Sequence, residues 1–252
     1  MNSLQDYRTR CYDVYMSEHW KYSHSFSKEA YDFFSKISSK RFKKVLPTDK
    51  NIKILDVACG NGYFLYFLQK QGYVNSTGID LGHEQLESAH KAGVKNLIKT
   101  DLFEYLPEHL QSFDLIVAND IIEHLKKDEV LKFLDCIYAS LKPNGKVLLA
   151  TVNAESLFGC KAMFVDFTHE QIFTPISLSQ VMRVCGFKDV VVYGEKPVIH
   201  DLKSAIRSVL WRGLRKLLKI YTAIENGTGR GVWKQSGIFE SRMFVVGKKL
   251  NA

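Results

Sequence analysis

The chain has no Cys-x-x-Cys pair, only five prolines, and no apolar run near the roughly 18 residues that a membrane span needs. The first absence excludes a zinc knuckle or a redox dithiol. The five cysteines, Cys11, Cys59, Cys136, Cys160 and Cys185, are odd in number and widely spaced, and are expected to pack mostly as small buried apolar groups. The opening "MNSLQDYRTRCYDVYMSEHW" has no apolar stretch suited to a signal peptide, so a cytoplasmic protein without a transmembrane segment is expected. Acidic side chains are the scarcer charge, 27 Asp and Glu against 35 Lys and Arg. The resulting net charge of +8 suits an anionic partner and leaves a sugar nucleotide, a nucleic acid and an acidic membrane surface open.

What is present supports one folded unit over residues 1–252: 46% of residues are hydrophobic and 25% charged, enough apolar mass for a full core. From residue 50 short β-branched runs alternate with helical stretches. "IKILDVA" precedes a helix over Tyr63 to Gln71, "STGIDL" a helix over Gly82 to Ala92, and "NLIKTDL" and "FDLIVAND" a helix over Lys127 to Leu141 before "GKVLLATV". That alternation predicts an α/β fold with a doubly wound parallel sheet. Lys142-Pro143-Asn144-Gly145 is expected to turn the chain into "KVLLATV", since Pro cannot extend a helix and Asn-Gly tolerates positive φ.

Residues 1–48 read as a helical cap carrying Tyr7, Tyr12, Tyr15, Trp20, Tyr22, Phe26, Tyr31, Phe33 and Phe34, most of which are expected to pack on the sheet while a few form a lid. The core covers 50–195, a basic helical insertion 196–240, and a final strand 241–250. Within the insertion Leu202, Ile206, Val209, Leu210, Leu214, Leu217, Leu218 and Tyr221 recur at helical spacing, with Lys203, Arg207, Arg215 and Lys219 on another side. A surface helix with a solvated basic face is expected; a phosphate-facing or membrane-surface helix is the alternative.

"ILDVACGNGYF", Ile54 to Phe64, puts an acid and two glycines after a buried strand. A dinucleotide fingerprint needs a third glycine where Leu65 stands, and Asp56 would repel a pyrophosphate but attract an ammonium group. Asp80 ends the second strand, where a carboxylate accepts bonds from both ribose hydroxyls, and Asp101 ends the third, where an adenine amino group could be read. Each acid alone also reads as a helix N-cap, but three at successive strand ends point to a cationic nucleoside.

These residues resemble the class I S-adenosylmethionine-dependent methyltransferases. Their Asp-x-Gly-x-Gly-x-Gly hallmark appears as Asp56 to Gly62, with Ala58 replacing one glycine, and "LKPNGKVLLATVN" is similar to their fifth-strand entry. The resemblance runs from about residue 30 to 195. It implies a Rossmann-like seven-stranded, mainly parallel sheet with an antiparallel last strand. It also implies S-adenosylmethionine as cofactor and S-adenosylhomocysteine as product. Asp56, Ala58, Gly60 and Gly62 would approach the methionine end, Asp80 and Leu81 the ribose, and Asp101 and Leu102 the adenine, with Asn119 and Asp120 lining the methyl-transfer site.

The segment "DFTHEQIFT" resembles a subset of these enzymes with Asp-x-Thr-His-x-x-x-Phe-Thr after the fifth strand, associated with surface polysaccharides and other small acceptors. A hydroxyl acceptor must lose its proton, and imidazole titrates near neutrality, so His169 is the expected general base, with Asp166 expected either to orient its ring or to bind a sugar hydroxyl. Thr168 and Gln171 also match a helix capping box. His124, in "IIEHL", ranks second as base. Asp120, Glu123, His124, Asp166 and His169 have no tight ligand spacing, so no metal is expected.

The acceptor expected from this resemblance and the basic insertion is a phosphate-bearing, nucleotide-activated sugar, bound through Arg207, Arg212, Arg215 or Arg230. A lipid-linked or quinone-type acceptor at a membrane, an RNA substrate, and a non-catalytic scaffold are the alternatives. No stable nucleic-acid partner is expected, because the fourth strand ends in "ANDIIEHL" rather than an Asn-Pro-Pro-Tyr motif. A homodimer stays open.

Overall fold

A computed structural model describes residues 7–12, 18, 27–227 and 236–251. Tyr15, Trp20, Tyr22, Phe26 and Arg230 lie outside the described residues. The seven strands are β1 (Ile54–Val57), β2 (Ser76–Asp80), β3 (Leu97–Lys99), β4 (Phe113–Asn119), β5 (Leu141–Val152), β6 (Lys188–Gly194) and β7 (Arg242–Lys248). They form one sheet in the order β3-β2-β1-β4-β5-β7-β6. β1 to β5 pair in parallel, and β7 inserts antiparallel between β5 and β6.

The strands alternate between two cores. Leu55, Val57, Ile116, Ala118, Val147 and Leu149 meet one face with Phe133, Leu134 and Ile137 of α6 (Lys127–Ser140) and Leu178 and Met182 of α8 (Pro175–Val184). Ile54, Leu115, Val117, Leu148 and Ala150 meet the other with Phe64, Phe67 and Leu68 of α3 (Tyr63–Lys70) and Phe42 of α2 (Lys28–Phe42). Residues of both parities are therefore buried, which is why these strands read as continuous apolar runs. The expected Lys142–Gly145 turn falls at the start of β5, with Asn144 at φ +63°.

From the cap, α1 (Tyr7–Tyr12) and α2 are described. Tyr31 of α2 is fully buried, stacks on Tyr63 with ring centroids 4.1 Å apart, and donates to the carbonyl of Asn61 at 2.6 Å. α2 thus braces the glycine loop. Among the cysteines Cys185 is buried and Cys160 exposed, the other three lying between.

The insertion forms α9 (Leu202–Asn226), capped by Asp201, whose carboxylate accepts from Ser204 N at 2.7 Å. The expected basic side is exposed at Lys203, Arg207 and Lys219, but solvent also meets the apolar one. Ser204 and Leu218 are buried and Trp211 and Arg215 half-buried against the body, whereas Ile206, Leu210, Leu214, Leu217 and Tyr221 are exposed. Glu240 holds the helix in that orientation: it accepts from Trp211 Nε1 at 3.1 Å and pairs with Arg215 Nε at 3.4 Å.

Candidate active site

The chain runs outward through β2 and β3 to one edge, then returns to place β4 beside β1, so a crevice opens at the carboxyl ends of these strands. The loop after β1 lies there, with Ala58, Gly60 and Gly62 at φ +54°, +52° and +70°. The two glycines do different work. A Cβ on Gly60 would meet nothing within 4 Å, so this is the open side of the loop, where a ligand can approach. A Cβ on Gly62 would lie 2.9 Å from Ala89 Cβ and 3.3 Å from Val94, so Gly62 serves close packing of α3 on α4 (His83–Lys91).

Asp80 braces that loop, accepting from Gly60 N at 2.8 Å and Gly82 N at 2.7 Å through its two oxygens. Each oxygen keeps a lone pair for a ribose hydroxyl. Burial raises the Asp80 carboxyl above its ordinary range. Leu81, an apolar side chain beside it, is 58% exposed. Asp101 caps α5 (Leu102–Tyr105) by accepting from Phe103 N at 2.6 Å through Oδ1, leaving Oδ2 for an adenine amino group. Leu102 is half-buried and packs against the core.

Asp56 differs from both. It is 1% exposed, and neither carboxylate oxygen has a hydrogen-bond partner among the described residues. Burial, reinforced by the charge of Asp80, pushes its carboxyl up to about 8. A buried, unbonded carboxylate is costly unless a cation or donor completes it, so this position fits the ammonium group of a methionine moiety.

A second cluster follows β4 and β5. Asn119 ends β4, and Asp120, at φ +54°, pairs with Arg242 of β7 at 2.6 Å. Arg242 also meets Glu195, which in turn binds Arg41 at 2.8 Å. Asp120 is therefore tied into an ion network. Glu123 is buried, accepts from Thr151 Oγ1 at 2.9 Å, and is driven upward in pKa by burial and the neighbouring Asp120 charge.

The backbone N–H groups of Glu170 and Gln171 bond the carbonyl of Glu123 at 2.8 and 3.2 Å, docking the "DFTHEQIF" segment onto the "IIEHL" turn. This docking also prevents the expected capping box at Thr168. Gln171 Nε2 instead donates to Leu125 O at 2.6 Å, and the helix waits for Thr174, which caps α8 through Ser177 N at 3.1 Å.

Thr168 has another task. Its backbone N–H and hydroxyl both donate to Asp166 Oδ1, at 2.8 and 2.7 Å, so its oxygen accepts from His124 Nδ1 at 2.9 Å. Asp166 therefore orients His124 through Thr168. His169 is fixed separately, donating from Nδ1 to Ala162 O of α7 (Gly159–Phe164) at 2.9 Å. In both rings the lone pair falls on Nε2. Burial lowers His124 to about 4, so it is neutral at physiological pH.

The rings meet edge-on at 4.7 Å between centroids. One ligand atom each from Glu123, His124 and His169 lies within 4.8 Å of the others, so the donor set could hold a divalent cation. Of the five candidate ligands, Asp120 and Asp166 stand apart, engaged elsewhere. The sequence reading missed Thr168 as a relay and Arg242 as the partner of Asp120. The second pairing joins residues 122 positions apart and has no local signal.

Residues 25–192 match the family described as methyltransferase domain. The chain belongs to this family. The methyltransferase's cofactor is S-adenosylmethionine, the molecule to which Asp56, Asp80 and Asp101 are suited. Its sheet matches that of a SAM-dependent methyltransferase from Archaeoglobus fulgidus, with TM-score 0.65 and 22% identity over 94% of this chain and 100% of that one. It also matches that of a phosphoethanolamine N-methyltransferase 2 from Haemonchus contortus solved with S-adenosyl-L-methionine, with TM-score 0.60 and 17% identity over 95% of this chain and 60% of that one. At these identities the likeness is one of fold.

Among curated proteins, the mitochondrial ubiquinone biosynthesis O-methyltransferase of Mus musculus is 35% identical over 162 residues, covering 57% of this chain and 43% of that protein. The ubiquinone biosynthesis O-methyltransferase of Rickettsia felis is 32% identical over 105 residues, 40% of this chain and 42% of that protein. The methyltransferase thus spans less than half the length of these two relatives.

Proposed function

We propose that the protein moves a methyl group from S-adenosylmethionine to a hydroxyl oxygen of an apolar, ring-bearing acceptor, with His169 as general base. The observation that carries the proposal is the His124–His169 pair, whose Nδ1 atoms are committed to Thr168 and Ala162 and whose Nε2 lone pairs are left for chemistry. The cofactor supplies a methyl already activated by its sulfonium. His169 Nε2 takes the acceptor's proton as the new carbon–oxygen bond forms and the carbon–sulfur bond breaks. His124, lowered in pKa by burial, stays neutral beside it and adds no repelling charge to the imidazolium that results.

An apolar acceptor is favoured by the surroundings of His169. Phe158, Phe164 and Phe167, on and beside α7, are 72%, 82% and 82% exposed. Relatives named for ubiquinone biosynthesis support both the oxygen and the ring. The phosphate-bearing sugar has weaker support. Arg215 is committed to Glu240 and to Gly237 O, and Arg207 and Arg212 lie exposed along α9.

Labelled cofactor should be offered together with an alkyl-substituted catechol or hydroquinone and with a panel of nucleotide sugars. Label on the phenolic oxygen is expected; label confined to the sugars would contradict the proposal. The Glu123, His124 and His169 cluster favours a second reading, in which a divalent cation held there polarises the acceptor's hydroxyl. In that case a chelator abolishes transfer and added Mg²⁺, Mn²⁺ or Zn²⁺ restores it, whereas with His169 as base the rate is unchanged by the chelator.

A further inference from the structure

α9 is amphipathic the wrong way round for a helix that completes a core. Few of its residues face inward: Ser204 and Leu218 are buried and Trp211 and Arg215 half-buried, with Ser204, Trp211 and Arg215 held by Asp201, Glu240 and the carbonyl of Gly237. Outward, at spacings of three and four, stand Ile206, Leu210, Leu214, Leu217, Ile220 and Ile224, which are 53%, 68%, 39%, 63%, 57% and 79% exposed. An uncovered apolar stripe of this length on a 25-residue helix marks a surface that meets something apolar. Lys203 and Arg207 flank the stripe on one side and Arg212 and Lys216 on the other, all exposed, while Glu225 is the only acid within the helix.

We infer that α9 lies in the headgroup region of an anionic membrane, with its apolar stripe among the acyl chains and its flanking cations on lipid phosphates. The charge pattern selects this occupant over a second copy of the chain. Two such stripes laid face to face would bring basic rims together, whereas anionic headgroups neutralise them. No helix among the described residues is long and apolar enough to cross a membrane, so the contact is one of lying on the surface.

The clamp that turns the stripe outward also joins α9 to the active-site end of the sheet. Glu240, which holds Trp211 and Arg215, accepts from Asn153 Nδ2 through its backbone carbonyl at 2.9 Å, and Asn153 directly follows β5. Ser236 adds a bond to Glu155 at 2.5 Å. The inference stands on α9 alone and does not depend on the acceptor.

The test is co-sedimentation of the full chain with vesicles of phosphatidylcholine mixed with phosphatidylglycerol, and with phosphatidylcholine alone. The protein should pellet with the anionic vesicles, and about 1 M salt should release most of it by screening the rim charges. The double variant Leu210→Asp, Leu217→Asp alters exposed positions outside the catalytic machinery. It should keep its melting temperature and cofactor affinity while losing about tenfold or more of its vesicle binding. The variant Arg207→Glu, Lys216→Glu should lose binding to anionic vesicles by a similar factor. Wild-type protein left in the supernatant with anionic vesicles, or aspartate variants that pellet like wild type, would overturn the inference. So would a wild-type dimer in analytical ultracentrifugation that the aspartate variant dissociates, since the stripe would then be covered by a second copy.

Discussion

At Asp56 the free protein holds a carboxyl that is mostly protonated at neutral pH, because burial and Asp80 push it up to about 8. Bringing the cofactor's ammonium against it favours the charged form, so binding expels the proton. Affinity for S-adenosylmethionine should therefore rise with pH and level off above about 8. Below that value its slope should approach the one-proton limit of about tenfold per unit. Calorimetry in two buffers of different ionisation enthalpy should register proton release near pH 7, and Asp56→Asn should remove it while weakening binding. The linkage to folding has the opposite sign. An acid with a raised folded-state pKa contributes stability that is full below its ordinary range and lost as pH rises through the folded value. The cofactor-free protein should thus lose melting temperature between pH 5 and pH 9, and Asp56→Asn should reduce that loss.

His169 and His124 separate at the same scale. His169→Ala should lower turnover by about 10²-fold or more with little change in cofactor affinity, as removal of a general base does. His124→Ala would remove the bond from Nδ1 to the Thr168 hydroxyl and leave a gap in a buried cluster, so melting temperature should fall along with rate. A His169→Ala enzyme at full rate would remove the base assignment and leave the cofactor site untouched.

At the scale of elements, Gly62 is the joint between α3 and α4. Any side chain there combines positive φ with a clash against Ala89 and Val94, so Gly62→Ala should cost about 2 kcal/mol or more of stability. Gly60→Ala, facing open space, should cost about 1 kcal/mol of strain and fall more heavily on cofactor affinity. Thermal melts with and without S-adenosylmethionine distinguish the two.

The strands from β1 to β5 were legible because burial on both faces writes itself as unbroken apolar runs, and Asp80 and Asn119 were legible because strand ends are, whereas Asp101 stands past the end of β3 as the cap of α5. What the helix periodicity of α9 could not say is which side meets the body. That is decided by Glu240, which lies 29 residues from Trp211 in the chain. The "DFTHEQIF" capping box misled for a related reason: the backbone N–H groups it would have used are taken by the carbonyl of Glu123, a partner 47 and 48 residues away.

Over the whole molecule, one strand-end crevice holds two chemically distinct halves. Asp56 in β1, Asp80 at the end of β2 and Asp101 after β3 suit a cationic nucleoside, and the imidazole pair after β4 and β5 suits a hydroxyl to be deprotonated. The packing of the "DFTHEQIF" segment onto the "IIEHL" turn brings the second half together, a contact between loops at the end of the sheet. The most direct measurement is NMR of the product formed from S-adenosylmethionine carrying a ¹³C methyl group, with wild-type protein and with His169→Ala, on an alkyl-substituted catechol or hydroquinone. The account predicts a methoxyl carbon signal from wild type, reduced about 10²-fold or more in the variant at unchanged cofactor affinity. A methyl carbon bonded to nitrogen or sulfur, or a methoxyl signal of equal rate in the variant, would contradict it.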